Sequence, residues 1–481
     1  MNQNFRGWIG SLIVLALCSF FTQCANIVPP GGGSRDTLAP RLIYVDPADS
    51  TLNFNSQRVV FHFNEFVELD NVIEKMIVSP TLKRTPTVTA KLRTITLLVK
   101  DSLQPNTTYT FNFGDAVKDV NERNPIEDFQ YVVSTGKYLD SLQITGKLIV
   151  AETGRVDSNV AVMLYSNLED SAVSKEKPLY LAKTKGDGSY RFKNLKPGTY
   201  RIFALKEEDR DFQYTNKKEM IAFSDELIEL KENMANVNMA LFSEIDTVKA
   251  EEEAPPAEPA PAAKLPKKPK LLAAAELNGG KQELGDSLSL VFSAPLKSLD
   301  TARILLLEDT THKQVAFTLH AADTTSKKFK MAYNWKPGKP YQLILPQGFA
   351  TDTMGITTLK ADTIAFEAKS IDDYGIIKLS LSIGDSAHLV LPADTGYEFV
   401  IQLVSNKEIK YQGVINNGKW ERGLIQPGEY EIRVLVDENR NGIWDTGVYY
   451  GKPKKQPEKV FPYKENLTVK KNWTLSPTVK L

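Results

Sequence analysis

Two stretches of this chain, one in each half, carry the same turn and the same strand. Around Pro197 the sequence reads Asn194-Leu-Lys-Pro-Gly-Thr-Tyr-Arg-Ile-Phe-Ala-Leu205, and around Pro427 it reads Leu424-Ile-Gln-Pro-Gly-Glu-Tyr-Glu-Ile-Arg-Val-Leu435. At the same offset Gly188, Ser189 and Tyr190 stand against Gly418, Lys419 and Trp420. A second pair lies upstream of each copy: Leu103-Gln-Pro-Asn-Thr-Thr-Tyr109 recurs as Trp335-Lys-Pro-Gly-Lys-Pro-Tyr341, and Val60-Phe-His-Phe63 recurs approximately as Leu290-Val-Phe292. The order is therefore A-B-A′-B′, a duplicated pair of modules. Within each module the apolar residues alternate over short runs broken by Gly, Pro, Asn and Asp, with almost no helical period. Tyr200, Ile202 and Ala204 share one face of a strand, and Tyr430, Ile432 and Val434 repeat it, so these faces are expected in the core. The fold class that follows is all-β: tandem sandwiches, each burying one face of two antiparallel sheets.

A chain of 481 residues exceeds what one hydrophobic core supports. The stretch Asn26 to Pro40 is rich in Gly and Pro and reads as an extended tether, and Glu251 to Lys270 alternates Ala and Pro between charge blocks, a composition that buries no core. The expected organisation is a signal segment at 1–23, a tether at 24–37, module A at 38–137, module B at 138–246, a linker at 247–270, module A′ at 271–369 and module B′ at 370–481.

Lys plus Arg and Asp plus Glu are equal at 59 each, so no electrostatic bias toward nucleic acid exists. The only cysteines are Cys18 and Cys24. Cys18 sits in the apolar run Ile9 to Phe21, which is too short to span a membrane and fits a secretory signal. Its removal leaves Cys24 at or near the new terminus, with no second thiol to form a disulfide, so stability must come from packed cores.

The sequence Phe-Thr-Gln-Cys-Ala-Asn around Cys24 resembles the lipobox of Bacteroidota-type lipoproteins, which implies that Cys24 is the acylated first residue of the mature chain. Module A resembles the bacterial Ig-like domains found in surface-layer proteins, through Val45-Asp-Pro47, Phe61-His-Phe-Asn-Glu65, Leu103-Gln-Pro105, Tyr109, Asp119-Val-Asn121 and the closing strand from Tyr131. Module A′ keeps Phe292-Ser-Ala-Pro295, Tyr341 and Asp352-Thr-Met-Gly355 of that pattern. Module B resembles carboxypeptidase-regulatory or transthyretin-like domains through Gly186-Asp-Gly-Ser-Tyr-Arg-Phe192 and Leu195-Lys-Pro-Gly-Thr-Tyr200. Module B′ is similar to the C-terminal module of related lipoproteins through Asp437 to Asp445 and Asn472-Trp473. These resemblances imply a modular, non-catalytic lipoprotein of the cell envelope.

Asp437, Asn439, Asn441 and Asp445 offer oxygen at the first, third, fifth and ninth positions of a loop with Gly442 at the sixth, as at the start of an EF-hand calcium loop. The twelfth position is Val448, so a complete calcium site needs a carboxylate from elsewhere; the alternative is a strand connection whose Asp and Asn cap their own turns. The matching loop of module B carries Glu207, Asp209 and Asp211. Asp-Ser and Asp-Thr pairs recur along the chain and look like the O-glycosylation sequon of exported proteins in the same bacterial group, with Thr37 beside the tether as the foremost candidate; turn chemistry explains such pairs equally well. His62, His312, His320 and His388 fall in no metal spacing, and no nucleophile elbow, phosphate loop or zinc-protease motif is present. Trp335, Trp420, Trp444 and Trp473 could stack sugars, although the repeat places Trp335 and Trp420 where packing residues recur. The reading is a lipid-anchored, non-enzymatic protein of the outer membrane, facing the periplasm and engaging envelope proteins or glycans. The alternative is a surface glycan-binding or adhesion lipoprotein.

Overall fold

The computed structural model describes residues 35–207, 211–244, 270–309, 311–358, 360–382, 384, 396–451 and 453–481. The expected signal segment, Cys24 and, apart from Lys270, the linker lie outside the described residues, as do Asp209 and His388. The described residues divide into two compact units, one of residues 35–141 with 194–196 and one drawn from residues 142–193 with 197–481. Among the described residues no helix is long and apolar enough to cross a membrane.

In the first unit, strand Arg58–Phe63 alternates as the sequence requires, with Val59, Phe61 and Phe63 buried. It lies between Leu42–Asp46 and Thr94–Leu98, and Thr87–Lys91 completes this antiparallel sheet. A second sheet joins Ile77–Ser79, Thr108–Gly114 and Phe129–Ser134. One core fills the space between, built on Phe61, Phe63, Phe111, Phe113, Phe129 and Tyr131. Edge-to-face ring packing sets Phe61 at 5.3–5.6 Å from Phe113, Phe129 and Tyr131.

The recurring Pro-to-Tyr signal has a single physical explanation in both of its early copies. The N–H of Gln104, just before Pro105, donates to the Tyr109 hydroxyl at 2.9 Å, and that of Lys336, just before Pro337, donates to Tyr341 at 3.0 Å. Each buried tyrosine thus ties the turn back to the strand that follows it, satisfying a backbone donor and its own hydroxyl together. In the last copy Tyr430 donates instead to the carbonyl of Gln426 at 2.8 Å.

In the second unit, residues 271–368 again form two facing sheets around one core that includes Leu290, Phe292, Trp335, Tyr341 and Phe366. The final stretch of the chain pairs Gly375–Ser382 with Lys419–Ile425 in one sheet and Glu398–Ser405 with Glu408–Val414 and Gly428–Asp437 in another. Residues 142–243 build a sheet in the order Tyr180–Lys183, Ala161–Tyr165, Gly198–Leu205, Met220–Phe223, Met239–Ser243, Leu142–Val150, Ser189–Leu195.

Two features depart from the sequence reading. The sheets are not all antiparallel: Leu142–Val150 runs parallel to Met239–Ser243, and Gly375–Ser382 runs parallel to Thr474–Leu475 and Thr478–Lys480. These pairings join the opening and closing strands of their stretches, so the intervening strands supply the long crossover that parallel pairing needs; Lys281–Gln282 also runs parallel to Asp362–Ala368. The repeated strand is also buried on both faces. Tyr200, Ile202 and Ala204 are in the core as expected, but Phe203 and Leu205 are buried as well, and they belong to a cluster that includes Tyr449. The alternation read correctly which residues share a face; it did not show that the second face is covered by a loop from the far end of the chain.

Candidate functional site

The loop that follows strand Gly428–Asp437 begins with a wholly buried carboxylate. Asp437 accepts hydrogen bonds from the N–H groups of Asn441 at 3.2 Å and Gly442 at 2.6 Å, which turns the chain sharply; Gly442 adopts φ +80°, a conformation glycine takes without a side-chain penalty. Asn441 donates its side-chain amide to Asp445 at 2.9 Å, and Asn439 donates to the same carboxylate. The residues singled out by spacing, Asp437, Asn439, Asn441 and Asp445, are therefore brought together in one loop.

A fifth residue closes it. Glu458 is wholly buried, and its carboxylate accepts from the N–H of Glu438 at 2.9 Å and that of Asp445 at 3.0 Å, while its carbonyl accepts from the Trp444 indole at 2.9 Å. It clamps both ends of the loop. Burial pushes the Glu458 carboxyl above its ordinary range, the neighbouring charges of Asp445 and Asp437 add to that rise, and the two N–H donors oppose it. Spacing could not find Glu458, because it lies well beyond the loop pattern, on the approach to strand Val460–Pro462. Among the described residues, neither Asp437 nor Glu458 forms an ion pair with a cationic side chain. Nor is any group of three or more His, Cys, Asp or Glu side chains among the described residues arranged to hold a metal ion. The loop's backbone uses the carboxylate oxygens for its own turns, the chemistry expected of a capped strand connection.

Directly after Asp445 the chain runs into residues 142–243. Thr446 donates to the carbonyl of Ser243, and Tyr449, 4% exposed, packs edge-on against Phe203 and Tyr214 at centroid distances of 5.7 and 5.8 Å and lies tilted against Phe223 at 5.2 Å. Tyr450 stacks on Tyr214 at 5.0 Å. No sequence signal pointed to this contact, although paired tyrosines beside a structured turn are the kind of residue that often anchors interfaces.

The remaining candidates are scattered. Thr37 is exposed, and the Asp36 carboxylate beside it accepts from the Leu38 N–H at 2.9 Å. Trp335 and Trp420 are core residues, Trp444 is half-buried, and Trp473 is exposed under the Lys470 ammonium at 4.6 Å. His62 is half-buried and stacked on Tyr44 at 4.1 Å, and His312 and His320 are exposed. In the matching loop of module B the Glu207 carboxylate accepts from the Phe212 N–H at 3.2 Å and Asp211 accepts from Gln213 at 2.7 Å, so those acids also cap turns.

Residues 36–135 match the family model described as the bacterial Ig-like domain, which coincides with the first sandwich. No curated protein matches this chain. Among solved structures, the chain is similar to the Bacillus anthracis TIE protein at 12% identity, over 94% of this chain and 76% of that one, with a TM-score of 0.16. It is similar to BcpA, the major pilin subunit of Bacillus cereus, at 11% identity over 71% and 98%, with a TM-score of 0.16. The N-terminal part of the bacterial S-layer protein SbsC is 15% identical over 43% and 44%, with a TM-score of 0.15. At such TM-scores nothing about function follows from the likeness.

Proposed function

We propose that this protein is a lipid-anchored, non-enzymatic spacer of the outer membrane, held by acyl chains on Cys24 and presenting its sandwiches on the periplasmic side to envelope proteins or glycans. The observation that carries the reading is the Ig-like segment at 36–135, which begins within a few residues of a Gly/Pro tether placed directly after Cys24. Asp437, Glu207 and Asp211 are in keeping with it, because they cap their own turns. The surface glycan-binding alternative would need an aromatic platform, and two of its four candidate tryptophans, Trp335 and Trp420, are spent in cores.

Cys24→Ala is expected to move the protein from the membrane fraction to the soluble fraction of lysed cells, with loss of incorporated fatty acid. Retention in the membrane with label unchanged would reject the anchor. A single acyl chain holds a protein only marginally, so stable retention of the parent protein also implies more than one chain.

A second reading, that calcium stiffens the 437–445 loop, rests on the burial of Asp437 and Glu458, each without a cationic partner among the described residues, and requires their oxygens to leave the backbone N–H groups they now accept from. Asp437, Asn439, Asn441, Asp445 and Glu458 would supply the oxygens. Millimolar calcium should then raise the melting temperature by a few degrees, and Glu458→Gln should remove that rise. An unchanged melting temperature leaves the loop as a self-capped turn.

A further inference from the structure

We propose that residues 444–451 and 453–456 form a latch that docks the C-terminal sandwich onto residues 142–243, so that the C-terminal half stays attached to the N-terminal half without help from the linker between them. This rests on contacts within the second unit and does not depend on lipid anchoring.

The latch has an apolar centre. Tyr449 belongs to one buried cluster with Met163, Tyr165, Phe203, Tyr214, Phe223 and Phe242, and its ring covers Phe203, Tyr214 and Phe223 directly. Its hydroxyl donates to the carbonyl of Asp170, and burial holds the phenol far above its ordinary pKa. Tyr450 donates or accepts at Ser174 at 2.9 Å, donates to the Tyr214 carbonyl at 2.6 Å, and lies with its N–H 3.4 Å from the Glu244 carboxylate. The Tyr214 hydroxyl donates to the same carboxylate at 2.8 Å.

A charged and polar rim surrounds this centre, as in a specific interface. Lys454 pairs with Asp170 at 2.5 Å and sets its ammonium 4.4 Å over the Tyr449 ring. Gln456 donates to the Phe223 carbonyl and to Asp225, both at 3.1 Å, and Arg155 pairs with Glu431 across the seam. Both sides also give up side chains to allow close approach. A Cβ on Gly447 would stand 2.6 Å from the Phe242 ring, and one on Gly154 would stand 2.3 Å from the Val460 carbonyl and from Pro462. Two glycines on opposite sides of one seam, each leaving no room for a methyl group, mark a surface shaped for close docking rather than an incidental contact.

The linker of Ala, Pro and charge is the stretch of sequence whose composition least suits a core. With the latch closed, a break there would not release the C-terminal half.

The test inserts a site-specific protease sequence after Ala263 in the full chain, cuts it, and follows the two fragments by size-exclusion chromatography at micromolar concentration. The fragments should elute together. Tyr449→Ala with Tyr450→Ala should weaken their association at least about a hundred-fold, the loss typical of central tyrosine anchors, and separate them. Lys454→Glu, which sets a negative charge against Asp170 at the rim and leaves both cores intact, should weaken it about ten-fold, so that a folding defect is not mistaken for a broken latch. Separation of the fragments of the unmodified chain overturns the proposal. So does unchanged association in both variants.

Discussion

Phe61→Ala should destabilise the first sandwich by about 3–5 kcal/mol, the cost of truncating a large aromatic in a packed core. Phe61 has no exposed surface and lies at the meeting point of three other rings, Phe113, Phe129 and Tyr131. The two sheets that carry those rings are pinned by their own backbone ladders, so they cannot collapse into the space left behind. The loss then contains a cavity contribution in addition to the lost burial. No tryptophan lies between residues 35 and 334, so tryptophan fluorescence would not see the change. Hydrogen exchange followed by mass spectrometry would: peptides spanning Thr108–Gly114 and Phe129–Ser134 should lose protection while those from 271–368 keep it. A change below about 1 kcal/mol would mean that Phe61 is not at the centre of that core.

Gly146→Ala is the second large effect, expected to cost about 3 kcal/mol, at the upper end of what forced overpacking does. Gly146 lies in strand Leu142–Val150, and a Cβ there would meet the Val237 carbonyl oxygen at 1.8 Å and the Tyr190 hydroxyl at 2.7 Å. The obstacle is backbone, which cannot swing aside. That backbone is held to the strand by Val237 N–H to the Thr145 carbonyl at 3.0 Å and Lys147 N–H to the Asn238 side chain at 2.9 Å, and Tyr190 donates to the Val237 carbonyl at 2.5 Å. Making room for a methyl group breaks these bonds together and leaves a buried tyrosine hydroxyl without its acceptor. Gly423→Ala is the control, since nothing stands within 4 Å of the Cβ it would add, and it should shift stability by no more than about 0.5 kcal/mol. Thermal melting of the two variants beside the parent protein measures the difference.

How far the sequence reached depends on the range of the interaction. Alternation over a short strand is a local property, and it placed Val59, Phe61 and Phe63, and Tyr200, Ile202 and Ala204, in cores. The Pro-to-Tyr signals were legible as repeats because the bond behind them is local, from Gln104 to Tyr109 and from Lys336 to Tyr341. The Asp437 loop was legible for the same reason. Glu458 was not, since nothing local marks a glutamate that folds back from well beyond the loop to clamp both of its ends. Tyr449 was still less visible. Its partners Phe203, Tyr214 and Phe223 belong to the other half of the sequence, and alternation alone cannot tell a strand face left to solvent from one covered by a distant loop. The parallel pairs of opening and closing strands were missed on the same ground, because register between the two ends of a whole module leaves no periodic trace.

Protease added to intact cells that make the parent protein tests the anchored, inward-facing spacer most directly, with Cys24→Ala as the control for anchoring. The account predicts that the protein survives until the outer membrane is permeabilised and is then cleaved. Cleavage on intact cells would contradict it, placing the protein at the cell surface and favouring the adhesion reading.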